Sequence, residues 1–378
     1  MYTASERSFD AVVVGAGIVG AACARELAEA GFRVAVCERN DYSGGGATAA
    51  GMGHIAVMDD SEAQFALTSY SQQLWMELAK ELPSDSEYLR CGSLWIATDA
   101  EEFAEVERKY NFYSQRAVPV EILDPKQLQE AEPHLRPGLA GALLMPRDSV
   151  CYPPCAARYL IEQTIAKGGE IFYNSHAIAL TDSGIRKADG SVVSAGFTIL
   201  AAGVETAKLL PELAVRARKG HLLITNRRPG FLRHQLIELG YLKSAHSSTS
   251  DSVAFNAQPR VTGQILIGSS RQFGVEDPTT ERDMLRRMLN RAIEYMPDLA
   301  DLSAIRTWTG FRAATPDKLP LIGLCPGFRN VYLATGHEGL GISTSLATAR
   351  LLTDELLERS SKIDRKPYLP DRTYAPHA

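Results

Sequence analysis

The stretch from Ala11 to Glu38 constrains this chain more than any other. Ala11-Val12-Val13-Val14 is a short apolar run, and Gly15-Ala16-Gly17-Ile18-Val19-Gly20 follows at once. Ala21 to Ala30 reads as a helix, Gly31 ends it, and Arg33 to Cys37 reads as a second strand closing on Glu38. Each piece has a physical job in holding an adenine dinucleotide. Gly15 permits the tight strand-to-helix turn, Gly17 lets a pyrophosphate approach the backbone, and Gly20 lets the helix pack close to the strand. The helix N-terminus offers unpaired N–H groups and a partial positive charge to phosphates. Glu38 stands where an acid hydrogen-bonds a ribose 2′-OH, which argues against a 2′-phosphate ligand. Taken alone, the unit serves NAD as well as FAD.

Bulk properties exclude other classes. A chain of 378 residues can bury a large core and is long enough for two domains. A net charge of −5 gives no basic footprint, so nucleic acid is not an expected partner. Six cysteines are scattered without a paired framework, which suits a reducing compartment and a cytoplasmic location. Cys151 and Cys155 do not have a standard zinc spacing. No run approaches 18 apolar residues, so no transmembrane segment is expected. Val12 to Ala24 could imitate a signal peptide, but glycines break it and no basic flank precedes it.

Further along, Ser43 to Gly53 is a run of small residues that allows close approach to something large and flat. Phe65 to Leu82 reads as a helix with Leu74, Trp75, Leu78 and Leu82 at helical spacing. Cys91 to Ile96 reads as a strand, and Pro133 to Pro146 as a turn-rich change of domain. Arg158 to Lys167 reads as a helix, with strands at 170–173 and 197–201. From His221 to Ser270 short strands follow one another without helices, as in an antiparallel sheet. Thr280 to Met296 and Ile342 to Leu357 read as helices, with a strand at 331–334. Strand–helix units therefore flank a different sheet. The expected architecture is α/β: a discontinuous Rossmann-like domain (1–85, 147–219 and 306–361) with an inserted, mainly antiparallel domain (86–146 and 220–305). Residues 362–378 read as an unpacked tail rich in Pro and charge.

Two C-terminal motifs carry chemistry. Gly310-Phe311-Arg312-Ala313-Ala314-Thr315-Pro316-Asp317-Lys318-Leu319-Pro320 places Arg312 in what reads as a rigid loop, suited to bidentate capture of a carboxylate. Gly336-His337-Glu338-Gly339-Leu340-Gly341 lies between a strand and the last helix, a second backbone cradle for developing negative charge. His337 at the strand end reads as a hydrogen-bonding structural residue.

The N-terminal unit, the Ala47-Thr48-Ala49-Ala50-Gly51-Met52 loop, the Ala201-Ala202-Gly203 turn and the two C-terminal motifs occur in that order. In this the chain resembles the D-amino-acid oxidase/glycine oxidase superfamily of FAD-dependent oxidoreductases over nearly its whole length. The resemblance implies that Gly15, Gly17, Gly20 and Glu38, with Ile18 and Arg39 beside them, hold the ADP half of FAD. It implies that Thr48, Ala49, Gly51 and Met52 line the isoalloxazine, and that Ala177, Ala202 and Gly203 lie on the adenine side. It puts Gly339, Leu340, Gly341 and Ile342 at the pyrimidine edge, and it makes Arg312 the anchor of a substrate carboxylate. The implied reaction is hydride transfer from the α-carbon of an amine substrate to flavin N5, giving an imino acid. That step asks the protein for orientation and for support of the anionic reduced flavin more than for a strong base.

The chain also departs from glycine oxidases. These carry an arginine in the loop aligned with Gly339, and they place a tyrosine near the position of Asn256, which reads here as a loop residue. The segments 51–60 and 268–273 look more like β subunits of multi-subunit dehydrogenases, most of all D-hydroxyproline dehydrogenase. His54, just after the flavin loop, is then a candidate substrate contact. The implied substrate is a D- or secondary amino acid such as cis-4-hydroxy-D-proline. The implied partners are an α subunit and an iron–sulfur γ subunit, with a place on the inner membrane's periphery through electron transfer. Arg147 stands where related sarcosine oxidases carry the histidine that attaches FMN, so covalent FMN is not expected, while noncovalent FMN at a subunit interface stays open. A self-sufficient oxidase using O2, an opine-oxidising subunit and an FAD-holding assembly subunit without turnover are the alternative readings.

Overall fold

The computed structural model describes residues 9–240 and 251–373. Its first sheet runs Leu321–Leu324, Val331–Thr335, Val192–Leu200, Phe9–Val14, Val34–Cys37, Glu170–Phe172. The last five pair in parallel, and Leu321–Leu324 adds an antiparallel edge. The near-continuous apolar run Val12-Val13-Val14 has this cause: a parallel sheet is covered on both faces, and Val12 and Val13 are fully buried. Helices Ile18–Glu29, Pro153–Ala166 and Gly341–Leu356 cover one face through Ala21, Leu27, Leu160 and Leu351. The α/β class and the Rossmann-like first unit are as expected from the sequence.

The second sheet has the order Ala304–Ala314, Arg216–Thr225, Ile265–Phe273, Ser252–Pro259, Gln235–Glu238, Ser93–Ala97, Gly141–Met145, Glu121–Leu123. It is antiparallel except where Gln235–Glu238 runs beside Ser93–Ala97. The helix Arg282–Tyr295 lays Met288 and Ala292 on one face, against Phe255 and Leu236. The opposite face looks toward the first sheet and carries Arg218, Leu222, Arg271, Asn256 and Trp95.

Several expectations need correction. The stretch 133–146 is not merely turns, because Gly141–Met145 is an internal strand paired on both sides. The helix Ala100–Ser114 has no counterpart in the sequence reading. It buries few apolar side chains and is rich in charge, so its periodicity is faint, although Asp99 caps it by accepting from the Glu102 N–H at 2.9 Å. The helix expected from Phe65 begins at Glu62, capped by Ser61, and ends at Leu78. The tail is packed as far as Arg372: Tyr368 is buried and its hydroxyl donates to Ala63 O at 2.6 Å, while Arg372 pairs with Asp317. Cys151 is buried, Cys155 is half-buried, and both are free thiols. Among the described residues no helix is long and apolar enough to cross a membrane.

Candidate active site

The turn after the first strand is shaped by what would collide with it. Gly15 has φ +100°, and a Cβ there would stand 2.7 Å from Ala201 O. Gly20 packs its bare Cα onto Gly15 O, so helix and strand meet without a side chain between them. Gly17 begins the helix with no side-chain cap, and the Ile18 N–H donates instead to Thr48 Oγ1 at 3.0 Å. The small-residue loop is thereby tied to the helix start. Glu38, nearly inaccessible at 5 % exposure, accepts from the Ala16 N–H at 2.8 Å and from Asn40 N and Nδ2 at 2.9 and 2.8 Å. Its carboxylate is therefore fixed at the end of the second strand. Arg39, paired with Glu205 at 3.3 Å, lines the same end of one cavity with Ala177, Ala202 and Gly203.

Thr48, Gly51 and Met52 line that cavity, but Ala49 is exposed and lies outside its lining. A Cβ on Gly51 would meet Ile342 Cδ1 at 2.8 Å, so the loop rests on the start of the last helix. Gly339, Leu340, Gly341 and Ile342 open that helix's N-terminus onto the cavity. His54 lines the cavity too, its carbonyl accepting from Ser343 Oγ at 2.9 Å. Burial pulls its imidazole down to about 4, so it is neutral near pH 7. His337 is buried, its Nε2 3.0 Å from Thr348 Oγ1, and burial pulls it down to about 3.

Arg312 does not sit on a loop. It lies in the strand Ala304–Ala314, opposite Arg218. The prolines that suggested a loop begin after that strand has ended. Its guanidinium crosses Gly220, and Nη1 donates to Ser270 O at 3.1 Å. Arg218 Nη1 reaches Glu338 Oε1 at 2.5 Å. Burial works against the Glu338 carboxylate, but Arg271, Arg312 and Arg218 together pull it down to about 2. Burial also pulls Arg271 down to about 10 and moves Arg312 below its ordinary value, with Glu338 opposing both shifts. One carboxylate thus organises three guanidiniums beside the cavity.

A single cavity therefore joins Glu38, Ala177 and Gly203 at the carboxyl edge of the first sheet to Arg312, Asn256 and Trp95 on the second. Bare glycines at a helix start, a fixed acid at a strand end and a small-residue loop under a second helix start fit an elongated adenine dinucleotide. A family model described as FAD dependent oxidoreductase (DAO) matches residues 10–355. The chain belongs to that family. The oxidoreductase is 30% identical to glycine oxidase of Pseudomonas aeruginosa over 95% of this chain and 98% of the relative. It is 27% identical to hydrogen cyanide synthase subunit HcnC of the same species, over 97% of this chain and 96% of that one. The solved glycine oxidase of Geobacillus kaustophilus superposes with a TM-score of 0.87 at 25% identity, covering 97% of this chain and all of that one. The oxidoreductase is thus an FAD-dependent enzyme of a family that oxidises amine donors.

Sequence reasoning missed Arg218, Glu338, Gly220, Ile237 and Trp95 as parts of this site. Gly220 offered a signal, a glycine inside a strand pattern, which marks close approach of another group. Trp95 read only as part of the strand Cys91 to Ile96, and Ile237 carried no signal. Asn256 lies within the strand Ser252–Pro259 rather than on a loop.

Proposed function

We propose that this oxidoreductase binds a small D- or secondary amino acid by its carboxylate at Arg312 and oxidises the α C–N bond to the imine. The carrying observation is the placement of the half-buried Arg312 guanidinium in the same cavity as the residues suited to FAD. A guanidinium has five N–H donors, and the bond to Ser270 O fixes Arg312 while leaving a fork for a carboxylate. When bound, FAD supplies the acceptor for the hydride from the α-carbon. The substrate amine must be neutral, so that its lone pair forms the imine as the hydride leaves. His54, weakly basic in its buried position, acts as a hydrogen-bond partner that orients the amine and does not store its proton. The N-terminus of helix Gly341–Leu356 offers partial positive charge where Gly339 to Ile342 face the cavity.

The choice of cis-4-hydroxy-D-proline as substrate rests on segments 51–60 and 268–273. The likeness to HcnC, named as a subunit, supports passage of electrons to partner subunits. The likeness to glycine oxidases supports the second reading, direct use of O2. The test is anaerobic bleaching of the bound flavin by cis-4-hydroxy-D-proline, D-proline, sarcosine and glycine, followed by admission of air. Bleaching by at least one of them is expected. Peroxide formed at the rate of turnover would favour the oxidase reading, and flavin left oxidised by all four would remove the proposal.

A further inference from the structure

Three residues on adjacent strands form one row facing the cavity. Trp95 stands opposite Ile237, and Ile237 stands opposite Asn256. Residues directly opposite share a face of the sheet, and all three line the cavity. Two polar atoms in this row are buried with no hydrogen-bond partner in the protein: Trp95 Nε1 and Asn256 Oδ1. Around Trp95 the protein is otherwise well satisfied. Lys109 Nζ lies 4.8 Å from the ring centroid and is held by Asp59, and Asp59 also accepts from Tyr113 and Arg108. A donor and an acceptor left unpaired inside a core are costly unless cavity contents satisfy them. Ile237 between them is apolar, suited to contact with the carbons of a ring.

The row also has a fixed relation to the carboxylate anchor. Arg312 reaches Ser270 on the strand Ile265–Phe273, and Asn256 is on the next strand, opposite Gly268. Adjacent strands are about 4.8 Å apart. The anchor's contact Ser270 and the unpaired amide oxygen thus lie on adjacent strands, with Asn256 opposite a residue two positions from Ser270. A linear, unsubstituted amino acid anchored there would leave both atoms unpaired.

Resting on the amino-acid reading above, we propose that Asn256 and Trp95 form a hydroxyl-reading subsite. A hydroxyl on the substrate, across the ring from its carboxylate, donates to Asn256 Oδ1 and accepts from Trp95 Nε1–H. The substrate class is then a hydroxylated cyclic amino acid, and these two residues determine specificity without taking part in hydride transfer.

The test uses the FAD-loaded full chain and compares kcat/KM for cis-4-hydroxy-D-proline and D-proline in the wild type, in Asn256→Leu and in Trp95→Phe. Flavin content is measured in each, so that a variant that fails to fold is recognised, and Trp95→Phe keeps an aromatic ring against Lys109. The wild type should prefer the hydroxylated substrate by at least about 10-fold, and the ratio should fall toward one in both variants. A wild-type ratio near one, or a ratio that survives in either variant, overturns the subsite while leaving amino-acid oxidation standing. Wild-type flavin that neither substrate nor any other amino acid reduces overturns both readings.

Discussion

Gly220 lacks a side chain where the Arg312 guanidinium passes: a Cβ on Gly220 would stand 2.5 Å from Arg312 Nη1 and 2.9 Å from Cζ. The arginine crosses the neighbouring strand to reach Ser270 O. The glycine therefore fixes the path of the anchor without touching substrate itself. Gly220→Ala should push the guanidinium aside and lower kcat/KM about 10- to 100-fold, the scale of loss that follows small misplacements of a positioning group. Flavin content should be retained. Steady-state kinetics alongside flavin quantitation would check this, and normal kinetics would show that Arg312 tolerates another path.

Removing the anchor itself should be more severe. Arg312→Ala should cost about 2–5 kcal/mol of substrate binding, as expected for half of a desolvated charge pair. The measurement is the affinity of a non-oxidised carboxylate ligand, read from the flavin spectrum. An unchanged affinity would place the carboxylate elsewhere.

Glu338 gives a pH signature. Its folded value of about 2 lies below the ordinary carboxylate value of 4.5, because three guanidiniums surround it. The stabilisation it provides is complete above 4.5 and is lost as pH falls from there toward 2. Glu338→Gln should lower stability at pH 7, with the gap to wild type narrowing below about pH 4. Urea unfolding at several pH values would test it, and a pH-independent gap would contradict the charge cluster.

Asp148 predicts the opposite slope. It is buried and accepts from Ser93 Oγ at 2.6 Å, Gln72 Nε2 at 2.8 Å and the Val57 N–H at 3.3 Å. Burial outweighs those bonds and pushes it up to about 7 from 3.8. The folded state holds a proton that the unfolded state has lost, so its contribution to stability declines as pH rises from 3.8 to about 7. Asp148→Asn should show a flatter pH dependence over that window, measured by thermal unfolding in matched buffers.

Glu38→Ala should weaken FAD retention far more than it alters substrate preference in the fraction that stays loaded. Glu38 orders both the Ala16 turn and Asn40, and lies at the opposite end of the cavity from Arg312. Dialysis followed by flavin quantitation reads this directly.

Much of this was legible in the residues because local physics wrote it there. Gly15 and Gly20 fill contacts that no other residue fits, and Val12 to Val14 announce a strand covered on both faces. Arg312 was identified as a residue but misplaced onto a loop, since Pro316 and Pro320 belong to the turn that follows its strand. Trp95, Ile237 and Asn256 could not be found by spacing. They come from three strands far apart in sequence, and only the sheet's register makes them neighbours. Arg218 and Glu338, 120 residues apart, meet only through an ion pair between a strand and the turn before the last helix. The helix Ala100–Ser114 escaped because its buried side mixes the charged Glu102 and Lys109 with Val106 and Tyr113.

The most direct measurement is anaerobic rapid mixing of the FAD-loaded protein with an amino acid that bleaches it, carrying hydrogen or deuterium at the α-carbon. Hydride removal in the cavity beside Arg312 predicts flavin reduction that is several-fold slower with deuterium, together with stoichiometric imino acid. Flavin that no amino acid reduces, or that is reduced at the same rate with either isotope, would contradict it.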